Sequence, residues 1–176
     1  GGSVLFSASM LALLDLRESL KNNVNFEKKR KVIGIDIDIR EHTKQAINNE
    51  PLSKYVELVE GSSIDQSIID LVHKKSYGYS NVMVFLDSNH THEHVLAELN
   101  GYQDLIKSGG YLIVYDTSIE WDEAEYWENN REWGPGNSPR SAITEFIKSH
   151  PDFRIDKSIC IKLQITVAPE GFLRKD

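Results

Sequence analysis

Residues 85–95 read FLDSNHTHEHV, placing Asp87, His90, His92 and His94 close together directly behind an apolar run. Histidine is the commonest metal ligand and the side chain that exchanges protons most readily near neutral pH. The residue types admit three chemistries: a metal cage, a catalytic base, or a helix start that is rich in histidine. His90 and His94 stand four apart, so a helix would carry both on one face and offer a pair of zinc ligands. His92 and His94 also read as first-turn helix residues, with Glu93 suited to the positive end of the helix.

Other polar residues sit in the same setting, at the close of an apolar run. Asp36 ends KVIGID, Gly61, Ser62 and Ser63 follow YVELVE, and Asp116 with Thr117 follows YLIVY. An acid after such a strand accepts hydrogen bonds from ribose hydroxyls in nucleotide-binding α/β folds, a role open to Asp36. The competing reading is a cap for the helix beginning near Arg40, for which Asp38 is better placed. Ser62 and Ser63 read either as contacts to an adenine edge or as an N-cap pair. Asp87 and Asp116 end consecutive strands, and parallel neighbours run about 4.8 Å apart. Two carboxylates so placed repel unless a cation lies between them; hard oxygens suit Mg²⁺, and Thr117 adds one more. The alternative is a pair of helix or turn caps.

The elements that must hold these residues alternate. A helix from Ser3 to about Leu20 carries apolar residues over most of its surface, which predicts burial on more than one side. Strand-like KVIGIDID, helical REHTKQAINNE stopped by Pro51, strand-like YVELVE, helical SIDQSIIDLVHKK, strand-like NVMVFLD, helical THEHVLAELNGYQDLIK and strand-like YLIVYD follow in turn. Strands alternating with amphipathic helices predict a parallel sheet covered on both faces, and runs such as VMVFL fit that burial. Ligands of such sheets bind beyond the carboxyl ends of the strands, where all the acids named above fall. In the last third, Ser138 is an N-cap with Pro139 at the first helical position, the helix running to His150. FRIDKSI and KLQITV then predict an antiparallel hairpin at the sheet edge, with Cys160 a buried thiol on a strand. The acidic aromatic segment WDEAEYWENNREWGPGN, with Trp121, Trp127 and Trp133, reads either as a cover for a substrate or as an exposed helix pinned by its aromatics.

Bulk composition narrows the class. The 176 residues suffice for one domain with its own core, and 40% hydrophobic with 27% charged residues is ordinary for a globular chain. With 27 acidic against 20 basic residues the net charge is −7, and no long basic stripe offers itself to a phosphate backbone, so nucleic acid is excluded as a partner. A lone cysteine forms no intrachain disulfide and fits a reducing cytoplasm. No apolar stretch reaches the roughly 18 residues needed to span a bilayer, which argues against a membrane partner. VLFSASMLALL lacks the basic residues that precede a signal segment, so a cytoplasmic location is expected.

Taken in order, GGSVLFSAS, GIDID, VEGSSID, FLDSNHTHEHVLAELNGY, GGYLIVYDT, WGPGNSPRSAITEF and KLQITVAPEGFLRK resemble the class I S-adenosylmethionine-dependent methyltransferases, most closely the cephalosporin hydroxylase family that shares their fold. The resemblance implies a Rossmann-like, doubly wound, mostly parallel sheet, whose first strand and E-x-G motif would precede Gly1. On that basis residues 1–176 are expected to form a single methyltransferase-like domain without its N-terminal portion. It further implies S-adenosylmethionine held by Gly1, Gly2, Ser3, Asp36, Ser62, Ser63 and Asp87. Mg²⁺ would rest on Asp87, Asp116 and Thr117, with His90, three residues after Asp87, as general base. Thr117 replaces an asparagine of the catechol enzymes, and Tyr115 takes a position that is acidic in some relatives. The activity so implied is O-methyl transfer to a small-molecule hydroxyl, on a sugar or natural product; whether the chain forms a homo-oligomer is left open by the sequence. Two alternatives stand beside it: a hydroxylase-type oxidoreductase component, as the family's name suggests, and a non-catalytic module that binds S-adenosylmethionine.

Overall fold

In a computed structural model described for residues 1–122 and 131–176, the chain divides into two compact units, Gly1–Ile68 and Ile69–Asp176. The expected role of Trp127 falls outside the described residues.

In the first unit α1 (Gly2–Asn22) is followed by β1 (Val32–Asp36), α2 (Glu41–Asn48), a 3₁₀ turn at Pro51–Tyr55 and β2 (Val56–Glu60). β1 and β2 run parallel with Val32 opposite Val56 and Asp36 opposite Glu60, so the two strands end level. α1 lies along this pair by one stripe, in which Ala8, Asp15 and Ser19 are buried. Burial on more than one side is therefore not what forms: Phe6, Leu13 and Leu20 are 68%, 58% and 74% exposed, because one two-stranded ribbon covers one helix face.

A buried acid organises the rest of this unit. Asp15 accepts from the backbone N–H of Lys29 at 3.1 Å, the Tyr55 hydroxyl at 3.0 Å and the Arg30 guanidinium. Arg30 and Lys29 also reach Glu18, each at 2.9 Å. The polar stretch after α1 is thus tied back onto the helix it leaves. Burial pushes the Asp15 carboxyl up, but the bonds from Lys29, Arg30 and Tyr55 outweigh it and hold the group below its ordinary range.

The division falls within α3 (Gln66–Ser76), and the second unit continues through β3 (Val84–Leu86), α4 (His92–Tyr102), β4 (Tyr111–Val114), a 3₁₀ turn at Thr117–Trp121, α5 (Pro139–Ser149), β5 (Phe153–Ile155), α6 (Lys157–Leu163) and β6 (Phe172–Lys175). Among the described residues the sheet order is β3-β4-β6-β5, with β3 and β4 parallel and β6 antiparallel to both β4 and β5. Both units are α/β with a parallel strand pair, as the alternation predicts. β4 is central, and Leu112, Ile113 and Val114 are all buried. α4 packs on α5, and Val95, Leu99, Ala142, Ile143 and Phe146 form the core beneath them. β3 is shorter and less covered than its apolar run predicts: Phe85 is 48% exposed and stacks on Tyr115 at 6.3 Å.

The C-terminal pairing departs from expectation. β5 does enter an antiparallel pair, but its partner is Phe172–Lys175, and KSICIKL is helix α6 in place of a strand. The cause is local. Asp156 accepts from the Ser158 backbone N–H at 3.0 Å, an N-cap that starts a helix where the β-branched residues alone suggest a strand. The Ser158 and Tyr111 hydroxyls also donate to it, at 2.6 and 2.7 Å, and these bonds hold its carboxyl down at about 2. Cys160 accordingly lies half-buried on a helix. β6 closes on β4 where Gly171 passes the Val114 carbonyl; a Cβ there would stand 2.1 Å from that oxygen, so the sequence needs glycine.

Candidate active site

Parallel pairing sets the site. Leu86 stands opposite Val114, and the Tyr115 N–H donates to the Leu86 carbonyl at 2.9 Å, so β3 and β4 finish together. Asp87 and Asp116 therefore emerge side by side. Asp116 takes a left-handed backbone conformation with φ 52°, which few residues other than glycine, asparagine and aspartate adopt readily. Strained conformations of this kind gather at functional sites.

His90 completes the cluster. The loop between β3 and α4 turns through an Asn89 side chain that accepts from the Thr91 N–H at 2.8 Å. This brings His90 Nε2 to 3.2 Å from Asp116 Oδ2 and 3.9 Å from Asp87 Oδ1. One ligand atom from each of Asp87, His90 and Asp116 lies within 4.8 Å of the others, the grouping of acids and histidine among the described residues that can hold a metal ion. Burial pushes the Asp116 carboxyl above its ordinary range; His90 opposes the shift and the Asp87 charge adds to it. Two carboxylates with a nitrogen beside them offer ligands to a divalent cation.

The remaining histidines serve the surroundings. His92 Nδ1 lies 2.8 Å from Ser141 Oγ and Nε2 3.1 Å from Glu145, which ties the start of α4 to α5. His94 approaches Glu98 at 3.6 Å, so it is directed away from a zinc pair with His90. Glu98 itself is 2% exposed, accepts from the Ser88 hydroxyl at 2.7 Å and keeps Oε2 buried without a hydrogen-bond partner among the described residues. Its signal in the sequence is an acid on the inward stripe of α4, between Val95 and Leu99. Thr117 is fully buried and its hydroxyl donates to the Pro169 carbonyl at 2.6 Å, which commits that proton to the protein.

Trp133 is the neighbour that sequence reasoning left undecided. Its ring meets His90 edge-on, with centroids 5.3 Å apart and planes at 75°. The loop that carries it is held from three sides. The Glu120 carboxylate accepts from the Gly136 N–H at 3.1 Å and from the Ser138 hydroxyl; Asn137 Oδ1 accepts from the His92 N–H at 2.9 Å; Ser138 and Ser141 form a capping box at the head of α5. Trp121, by contrast, is 57% exposed.

The proposed cofactor residues Gly1, Gly2, Ser3, Asp36, Ser62 and Ser63 all belong to the first unit. Gly1 is the N-cap of α1 and lies against Thr43 and Ile47, while a Cβ on Gly2 would meet nothing within 4 Å. Asp36 is exposed at the end of β1 and accepts from the Asp38 N–H at 3.1 Å, and its carbonyl accepts from Gly61 N–H at 2.9 Å. Asp36 and the 61–63 turn thus share one end of the parallel pair. Helix α2 starts at Glu41 with Arg40 as N-cap and no side-chain capping bond, so neither Asp36 nor Asp38 performs the capping expected as the alternative.

A cluster of two acids and a histidine at the carboxyl ends of paired parallel strands is the arrangement of an α/β protein built to place a ligand there. The family pattern described as rhamnosyl O-methyltransferase/CmcI matches residues 1–176, and the chain belongs to that family. It is 33% identical over 117 residues to the rhamnosyl O-methyltransferase of Mycobacterium tuberculosis (strain ATCC 25618 / H37Rv), covering 65% of this chain and 45% of the relative. To the rhamnosyl O-methyltransferase of Mycobacterium leprae (strain TN) it is 26% identical over 177 residues, covering 98% of this chain and 66% of the relative. The chain thus spans about half the length of the first of these relatives, 45%. Among solved structures it is similar to the MycE methyltransferase from the mycinamycin biosynthetic pathway in complex with Mg and SAH, at 15% identity and TM-score 0.47 over 74% of this chain and 33% of that one. A second crystal form of that complex gives 13% identity and TM-score 0.48, over 85% and 38%. Among the described residues no helix is long and apolar enough to cross a membrane.

Proposed function

We propose that the chain is part of an S-adenosylmethionine-dependent, Mg²⁺-assisted O-methyltransferase acting on a hydroxyl of a sugar or natural product. The observation that carries this reading is the Asp87, His90, Asp116 cluster, within 4.8 Å, at the strand ends. Family membership and relatives named rhamnosyl O-methyltransferase support the sugar hydroxyl as acceptor.

Asp87 and Asp116 are the residues that would hold Mg²⁺, with Thr117 as a further oxygen, whose proton is directed to the Pro169 carbonyl while its lone pairs stay available. Bound there, Mg²⁺ supplies positive charge that lowers the pKa of a ligated hydroxyl. S-adenosylmethionine brings a methyl group already activated on sulfonium. What the chain itself must add is position and a proton acceptor. His90 Nε2, aimed between the two carboxylates, takes the acceptor hydroxyl's proton. On the sequence resemblance, Asp36 would accept from the ribose hydroxyls, Ser62 and Ser63 would meet the adenine edge, and Gly1, Gly2 and Ser3 would let the donor approach backbone; Asp87 is the remaining residue that the resemblance assigns to the donor.

Calorimetric titration of the full chain with S-adenosylmethionine, with and without Mg²⁺, tests the reading together with methyl transfer to a rhamnoside. Binding that Mg²⁺ does not alter, with no transfer, leaves the non-catalytic module. The iron oxygenases use two histidines and one carboxylate, the reverse of this set, so hydroxylation ranks below methyl transfer. Oxygen uptake dependent on iron and a reductant, without methyl transfer, would replace this reading with hydroxylation.

A further inference from the structure

Two buried ring nitrogens lie beside the acids at the strand ends. Among the described residues Trp133 Nε1 is buried without a hydrogen-bond partner, and its ring stands 5.3 Å from that of His90, whose buried Nε2 lies 3.2 Å from Asp116 without a hydrogen bond to it. Buried polar groups are nearly always bonded, and an exception marks a strain reservoir or a place for a missing partner. An indole N–H can only donate. Its partner must therefore be an acceptor atom, which a metal cation is not and a hydroxyl or ether oxygen is.

The loop that carries Trp133 is firmly restrained. Glu120, Asn137 and the Ser138–Ser141 capping box each restrain the 133–138 loop, and Arg131 lies over the indole at 5.7 Å. A donor held this firmly is pre-organised, so little ordering is required when a ligand arrives. Asp87, 60% exposed in its side chain, leaves the cluster open on one side, so a small molecule can reach it.

We propose that Trp133 determines which acceptors the site takes, its indole N–H donating to an oxygen of the sugar that neighbours the hydroxyl facing His90. The inference rests on the methyl-transfer reading above and adds a requirement that reading does not contain. A good acceptor carries a second oxygen beside the reacting one. A site built to bond that oxygen rejects the analogue lacking it, because its own buried donor is then left unpaired.

Trp133→Phe keeps an aromatic ring and removes the donor. Wild type and variant are compared for KM and kcat with methyl rhamnoside and its singly deoxygenated analogues, and for calorimetric binding of the same sugars with S-adenosylhomocysteine present. One analogue should bind wild type roughly tenfold more weakly than the parent sugar, the effect of one hydrogen bond. Trp133→Phe should weaken the parent by the same factor, lose nothing more with that analogue, and change KM more than kcat. Equal affinity of wild type and variant for the parent sugar, or unchanged discrimination by the variant, overturns the proposal. If the variant folds poorly, the analogue series on wild type decides: no analogue weaker than the parent overturns it as well. Sugar binding with the expected pattern but no methyl transfer would sink the proposed function and leave the role of Trp133 standing.

Discussion

The acids at the strand ends face a conflict that chemistry can exploit. Burial disfavours ionisation of Asp116, and the charge of Asp87 beside it adds to the effect while His90 opposes it. A cation or a proton would relieve it, and His90 Nε2 lies 3.2 Å from Asp116 and 3.9 Å from Asp87. If His90 is the proton acceptor, His90→Ala should lower kcat by about 10²–10⁴-fold, the usual worth of a general base. Affinity for S-adenosylmethionine should be nearly intact, read by calorimetry beside a methyl-transfer assay. A variant as active as wild type would show that the proton goes elsewhere. The spacing from Asp87 to His90 is legible in the sequence, as is the character of the two strand ends. What the residue types cannot reveal is that His94 turns to Glu98 and Thr117 to Pro169, because those partners come from one helical turn away in the first case and from a distant loop in the second.

At the level of elements, the site depends on how α5 begins. Ser138 is fully buried, accepts from the Ser141 N–H at 3.1 Å and donates to Glu120, so one hydroxyl caps a helix and anchors the loop bearing Trp133. Ser138→Ala should cost about 1–2 kcal/mol, the loss of an N-cap, measurable by urea denaturation. The Trp133 fluorescence environment should shift with it, and a stability unchanged within error would mean that the cap is redundant. Ser138 and Pro139 announce this helix start correctly in the sequence. FRIDKSI and KLQITV mislead because alternation of isoleucine with polar residues satisfies both a short strand and a short helix. The deciding group is Asp156, whose bonds to Ser158 choose the helix.

For the molecule as a whole, acid should be the destabilising condition. Asp15 is 1% exposed, and its carboxyl is held below its ordinary value by Lys29, Arg30 and Tyr55. A depressed carboxylate stabilises the fold above the unfolded-state pKa of about 3.9, and that stability is lost as pH falls through the lower folded value. Thermal melts should therefore weaken on acidification from about pH 5 downward. Asp15→Asn should be less stable than wild type at neutral pH by about 2–3 kcal/mol, as for loss of charged hydrogen bonds, and should respond less to acid. A variant whose melting follows the wild-type pH curve would show that Asp15 is not the group responsible.

By itself the sequence determined the alternating α/β order, the acids at the strand ends, the Asp87-to-His90 spacing and the start of α5, all of which rest on periodicity and capping within a few residues. Tertiary structure decided the rest. It placed β6 between β4 and β5, left much of α1 uncovered, and brought Trp133 to His90 from 43 residues away. The division has a physical cause: local preferences are written into neighbouring residues. Which acid meets which histidine, and which indole is left without a partner, depends on strand pairing and loop anchoring between groups far apart in the chain.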